Sequence, residues 1–161
     1  EIHIDGGEVF VRDYGRGIPQ GKLVDCVSVI NTGAKYNDEV FQFSVGLNGV
    51  GTKAVNALSE AFEIASFREG KSVRALFGQG ELINAGKPES SAEKPGTFVR
   101  FVPDPQLFPK YAYDLAVVRR RLWNYAYLNR NLTLILNDPN NSYGFGLGVL
   151  RVVSRRNILP R

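Results

Sequence analysis

The chain has 161 residues, 43% of them hydrophobic, and a formal net charge of +4. That is enough for one compact domain with a real core and too little for two comfortable ones. A single cysteine, Cys26, excludes an internal disulfide, and its apolar neighbours Val24 and Val27 predict a small buried side chain in a reducing, cytoplasmic setting. No run approaches the roughly 18 apolar residues of a membrane span, and the N-terminus lacks a signal-peptide pattern, which predicts a soluble chain with no membrane partner.

In chain order, residues 1–12 alternate, with Ile2, Ile4, Val9 and Val11 on one face and Asp5-Gly6-Gly7 between them, which predicts a hairpin. From Lys22 to Ile30, Leu23, Val24, Cys26, Val27 and Ile30 recur at helical spacing, and Gly33 sits where that helix would stop. Ala54, Val55, Leu58, Ala61 and Phe62 predict a second helix with one buried stripe, beginning at Gly51. Residues 62–68 and 71–77 read as two strands around a turn at Glu69-Gly70, and Thr97–Val102 as a further strand. Residues 84–96, rich in Gly, Pro, Ser and Glu, predict a mobile loop. A long helix from about Tyr111 to Tyr127, with Leu115, Val118, Leu122 and Tyr125 at core spacing, precedes a strand at Leu132–Leu136. The order predicts an α+β fold, a sheet layered with helices.

Charge is uneven along the chain: residues 1–99 carry 10 Lys/Arg against 13 Asp/Glu, and residues 100–161 carry 10 against 3. The basic C-terminal half permits direct DNA contact, but the run Arg119, Arg120, Arg121 reads first as a solvated helix face.

Two glycine-rich stretches carry the chemistry. Gly46-Leu47-Asn48-Gly49-Val50-Gly51 runs into the second helix, whose first peptide N–H groups lack internal partners and sit at its positive end. Such a loop is an anion site, and phosphate is the expected anion. Its G-x-x-G-x-G spacing is neither the dinucleotide fingerprint nor a P-loop, and glycines also serve tight turns and close packing. In the second stretch, Asp13 ends a strand and precedes Gly15, Gly17, Ile18 and Pro19. A buried, oriented carboxylate there can accept a hydrogen bond from an exocyclic amino group such as that of adenine, beside an apolar wall of Ile18 and Pro19. Alone, an aspartate in this position is more often a turn former.

The pair D-x-G-x-G at Asp13–Gly17 and G-x-x-G-x-G at Gly46–Gly51 resembles the boxes of the ATPase superfamily shared by gyrase, the heat-shock chaperone, sensor histidine kinases and mismatch-repair proteins (GHKL, Bergerat fold). RDYGRGIPQGK, NTGAKYND, SVGLNGVGTKAVNALS, REGK, EKPGTFVRF and YLNRNLTLILND, in that order, are similar to the ATPase domain of the B subunit of bacterial DNA gyrase or topoisomerase IV. The resemblance implies a mixed sheet with helices packed on one face, truncated at its N-terminus, over residues 1–138. Residues 139–161 are a poorly matched tail, either leading toward the transducer domain or foreign to the family.

The resemblance also implies roles. Asp13 would bind the adenine amino group, with Gly15, Gly17, Ile18 and Pro19 lining the base pocket and Thr97 supporting it. Gly46, Gly49 and Gly51 would cradle the phosphates, Leu47, Asn48 and Val50 would lend backbone N–H groups, and Lys35 would reach in from a lid. Arg16 and Arg68 would lie at the pocket mouth, where aminocoumarin inhibitors stack. Asn48 stands where gyrases often have histidine, and Gln42 where the lid often has lysine. ATP and Mg2+ would be bound, yet the glutamate that activates water and the asparagine that holds magnesium belong to a helix outside this chain. No catalytic or metal residue is therefore assigned, and the chain alone is expected not to turn over ATP. Full-length relatives of this kind act on DNA with an A-type subunit as homodimers; the chain by itself is expected to be monomeric. The alternative is a non-catalytic nucleotide-binding module of another family in the superfamily.

Overall fold

The computed structural model describes residues 1–28, 50–129, 132–137 and 149–153. The chain divides into two compact units, one of residues 12–110 and one of residues 1–11 with 111–161.

The first unit is built on an antiparallel sheet. Strands β3 (Ser59–Arg68), β4 (Lys71–Gly78) and β7 (Gly96–Pro103) flank one another in the order β4-β3-β7. Glu69 and Gly70, both at positive φ, make the β3–β4 turn where the sequence places it. Register pairs Phe62 with Phe77 and Phe101, and Ile64 with Ala75 and Val99, so every second residue lands on one face. That face is the core: Phe62, Ile64, Val73, Ala75 and Phe77 are buried against Leu23 and Val27 of helix α1 (Leu23–Ser28). On the opposite face the buried carboxylate of Glu63 takes ion pairs from Arg74 and Arg100, which keeps the charge compensated in a half-desolvated position.

Three expectations are corrected in this unit. Helix α2 begins at Gly51 as the spacing predicts but ends at Ala57, and Ala61 and Phe62 belong to β3. Its buried side chains are Lys53 and Asn56, while Ala54 and Leu58 are exposed. The reason is a tertiary hydrogen bond: Asn56 Nδ2 donates to Val27 O at 3.0 Å, so α2 turns a polar face toward α1. The stretch 84–96 assigned to a loop takes in the end of β5 (Glu81–Ala85), whose start was not assigned, and the short β6 (Glu89–Ser90), both paired with β4. Both strands are fully exposed, which is why no buried alternation marks them. Cys26 is half-buried rather than buried. Burial pushes its thiol up, more than the positive charge of Lys53 pulls it down, which keeps it protonated and unsuited to nucleophilic work.

In the second unit β1 (Ile2–Asp5) and β2 (Glu8–Arg12) form the expected hairpin, with Ile4 opposite Val9 and both buried. β1 pairs parallel with β8 (Thr133–Asn137), which pairs antiparallel with β9 (Val149–Val153). Parallel and antiparallel pairs together give the mixed sheet expected. Tyr111 caps the hairpin, its hydroxyl donating to Gly7 O at 3.0 Å, and burial, then the neighbouring Tyr111, pushes the Tyr113 hydroxyl up to about 12.

Helix α3 (Leu115–Leu128) starts later than the periodicity predicts, because Asp114 caps it. The Asp114 carboxylate accepts from Ala116 N at 2.8 Å and Val117 N at 3.3 Å. Its buried residues are Leu122 and Ala126, whereas Tyr125, expected in the core, is 46% exposed. Of the arginine run, Arg120 and Arg121 are exposed and Arg119 is half-buried. Asp114→Ala is expected to lower stability by about 1 kcal/mol, and Asp114→Asn by far less, in urea denaturation. Equal midpoints for Asp114→Ala and the parent chain would remove the cap from the account.

Candidate functional site

The segment from Arg12 to Pro19 leaves the sheet and is sewn across the ends of β3 and β7. The Asp13 N–H donates to Thr97 O at 2.9 Å, and the hydroxyl of fully buried Ser66 donates to Ile18 O at 2.7 Å. Two glycines make the approach possible. A Cβ on Gly17, at φ +72°, would stand 2.5 Å from Phe67 O, and one on Gly96, at φ +141°, would overlap the Asp13 carbonyl. The atoms nearest to a Cβ on Gly17 belong to β3 and β7.

Asp13 and Thr97 are therefore neighbours, although eighty-odd positions of sequence separate them. Asp13 is exposed, not buried as expected, and Oδ1 accepts the Gly15 N–H at 2.8 Å. The turn-forming use and a recognition use coexist: Oδ1 closes the turn, and Oδ2 makes no hydrogen bond among the described residues. Thr97 reaches Asp13 through its main-chain oxygen. Ile18 is half-buried and packs on the core that holds Leu23 and Phe62, so it forms the floor of the segment, while Pro19 is exposed.

Arg16 is exposed, and Arg68 is half-buried with its Nε donating to Glu69 Oε1 at 2.8 Å. Gln20 Nε2 reaches Arg68 O at 3.4 Å, which places Arg68 beside the same segment. Lys35, Gly46, Leu47, Asn48 and Gly49 lie outside the described residues. Of the glycine-rich loop, Val50 is 44% exposed and precedes α2, and a Cβ on Gly51 would meet open space among the described residues. Close approach of backbone to backbone is thus seen at Gly17 and Gly96.

One candidate functional side chain was not singled out from the sequence. The Arg12 guanidinium lies over the rings of Tyr14 and Phe67, 4.8 and 4.5 Å from their centroids, and donates to Asp13 O and Lys94 O, each at 2.5 Å. Only its place inside the motif, one residue before the carboxylate, could have drawn attention to it. Among the described residues there is no group of three or more His, Cys, Asp or Glu side chains that could hold a metal ion. Likewise, no helix among them is long and apolar enough to cross a membrane.

No protein-family model matches the chain. It is 57% identical over 130 residues to the B subunit of DNA topoisomerase 4 from Borreliella burgdorferi, covering 81% of this chain and 22% of that protein. It is 38% identical over 144 residues to the B subunit of DNA gyrase from Thermus thermophilus, covering 83% of this chain and 23% of that one. Among solved structures, it is similar to the 43K ATPase domain of Thermus thermophilus gyrase B in complex with an aminocoumarin, with a TM-score of 0.70, 28% identity, and coverage of 95% of this chain and 39% of that one. The chain thus spans between a fifth and a quarter of the length of these curated relatives.

Proposed function

We propose, because the chain belongs to the family of B subunits of bacterial type IIA DNA topoisomerases and carries part of their ATPase domain, that it binds ATP through the segment Arg12–Pro19. The observation that carries the reading is the Asp13 carboxylate, held by the Gly15 N–H and exposed at the sheet end beside Thr97. A carboxylate accepts hydrogen bonds and donates none, so it selects a base edge that presents an amino group. Gly15, Gly17, Ile18 and Pro19 would border the base, and Thr97 would support it. Gly46, Leu47, Asn48, Gly49, Val50 and Gly51, with Lys35, would take the phosphates. Arg16 and Arg68 would form the pocket mouth and receive an aminocoumarin, a class the similar gyrase B domain is described as binding.

On this reading the whole protein uses ATP with Mg2+ to drive passage of one DNA duplex through another, in the cytoplasm, as a homodimer of B subunits with an A-type partner. Residues 1–138 would be its ATPase portion and 139–161 the stretch toward the next domain.

The test is calorimetric titration with a non-hydrolysable ATP analogue and magnesium, on the parent chain and on Asp13→Asn. Asparagine keeps an oxygen for the Gly15 N–H, so the turn survives, but it sets an NH2 where a second acceptor stood. Asp13→Asn is expected to keep its thermal midpoint and lose about tenfold or more in affinity. Equal affinity in both proteins, or no binding by the parent chain, would overturn the assignment.

A further inference from the structure

We infer that Arg12 is a positioning residue for base recognition, setting the orientation of the Asp13 carboxylate by clamping its peptide. The inference rests on the nucleotide reading above and concerns a residue that makes no proposed contact with the nucleotide.

Asp13 is held at three atoms. Its N–H donates to Thr97 O at 2.9 Å, its carbonyl accepts from Arg12 Nη1 at 2.5 Å, and its Oδ1 accepts from Gly15 N at 2.8 Å. The first and second bonds fix the two peptides on either side of the Cα, and the third fixes the side-chain rotamer. With all three in place, the direction in which Oδ2 points is determined. Arg12 supplies one of the three and is itself constrained by the rings of Tyr14 and Phe67, 4.8 and 4.5 Å from its guanidinium carbon, and at its second nitrogen by Lys94 O at 2.5 Å. A guanidinium suits this position because it is planar, stacks on rings, and presents several donors in a rigid fork. A lysine ammonium lacks the planar group that stacks on rings and cannot hold two carbonyls in a fixed fork geometry. Arg12 thereby ties the strand end that carries the carboxylate to the segment leading into β7, where Gly96 and Thr97 form the other wall.

A lost orientation is distinguishable from a lost fold by the base that is discriminated. ITP differs from ATP in carrying an oxo group where ATP has its amino group, and an oxo acceptor facing a carboxylate acceptor gains nothing from the orientation of Asp13. Affinities for non-hydrolysable analogues of ATP and ITP are to be measured on the parent chain, Arg12→Ala and Arg12→Lys, with thermal midpoints recorded alongside. The expected result is a parent preference for the ATP analogue that falls about tenfold in Arg12→Ala, through loss of ATP affinity with ITP affinity little changed, and an intermediate fall in Arg12→Lys. In an Asp13→Asn background the same substitutions should no longer move the ratio. Equal losses for both nucleotides, leaving the ratio intact, would overturn the inference, as would unfolding of both Arg12 variants, which would assign the residue to the fold alone. Absence of binding by the parent chain would instead defeat the nucleotide reading, and this inference with it.

Discussion

Gly96→Ala is expected to destabilise the unit of residues 12–110 by about 3 kcal/mol or more, the most damaging single methyl addition in this part of the chain. Two costs combine. A φ of +141° lies in a region that side-chain-bearing residues rarely adopt, and the added Cβ would overlap the Asp13 carbonyl and stand 2.6 Å from Arg12 Nη1 and 2.8 Å from the Asp13 carbonyl carbon. Those neighbours are backbone and a stacked guanidinium, so they cannot rotate aside as a surface side chain would. Relief requires the segment at Asp13 to move away from β7, which breaks the Asp13 N–H to Thr97 O bond. Gly70→Ala supplies the control, since Gly70 has a φ of +71° but open space where the Cβ would go. Its cost should be the left-handed penalty alone, about 1 kcal/mol. Urea denaturation of the two variants decides the matter: a lower midpoint for Gly96→Ala at unchanged slope is expected, and equal midpoints would mean that the close approach is not built as described.

Phe62→Ala should cost about 3–5 kcal/mol, because it removes the ring around which the sheet and α1 are packed. Phe62 is 2% exposed, stands opposite Phe77 and Phe101 in the strand register, and meets the Phe77 ring edge-on with centroids 6.0 Å apart. The cavity would be bounded by Leu23, Val27, Ile64 and Phe77, all nearly fully buried, so the walls have little room to collapse into it. Against the total stability usual for a domain, roughly 5–15 kcal/mol, a loss of this size leaves a substantial unfolded fraction near physiological temperature. Phe62→Leu, which keeps most of the volume, should cost appreciably less. Thermal melts separate the outcomes, and a Phe62→Ala midpoint as high as that of Phe62→Leu would show that the cluster is not closely packed.

Much of this was legible locally. The alternation in residues 2–11 and 71–77 reported strands because one face carries the buried residues, Ile4 and Val9 in the hairpin and Val73, Ala75 and Phe77 in β4, and burial of one face writes a period of two into the sequence. The turn at Glu69-Gly70 was legible because the positive φ at Gly70 favours glycine directly, and the start of α2 because the glycine-rich stretch gives way at Gly51 to helix-forming residues. β5 was not, because Glu81–Ala85 is exposed throughout and is held as a strand by main-chain pairing with β4, to which side chains contribute no pattern. The buried face of α2 was misassigned for a related reason: Asn56 turns inward to reach Val27 O, a partner 29 residues away that periodicity cannot register. In α3 the position after Leu122 that enters the core is Ala126, with Tyr125 displaced to the surface, a choice set by the neighbouring strands rather than by spacing.

The candidate site divides in the same way. From sequence alone came the motif order, the resemblance to topoisomerase B subunits, and the choice of Asp13 and Thr97 as candidate anchors, because motif residues are constrained by chemistry that does not depend on where the rest of the chain lies. Only the tertiary structure decided that Asp13 is exposed rather than buried, that backbone comes so close at Gly17 and Gly96 that no side chain fits, and that Arg12 lies over two rings and is bonded to a carbonyl 82 positions away. Those facts arise where segments distant in sequence meet, and a one-dimensional pattern carries information about local conformation and burial but none about which backbone will be the neighbour.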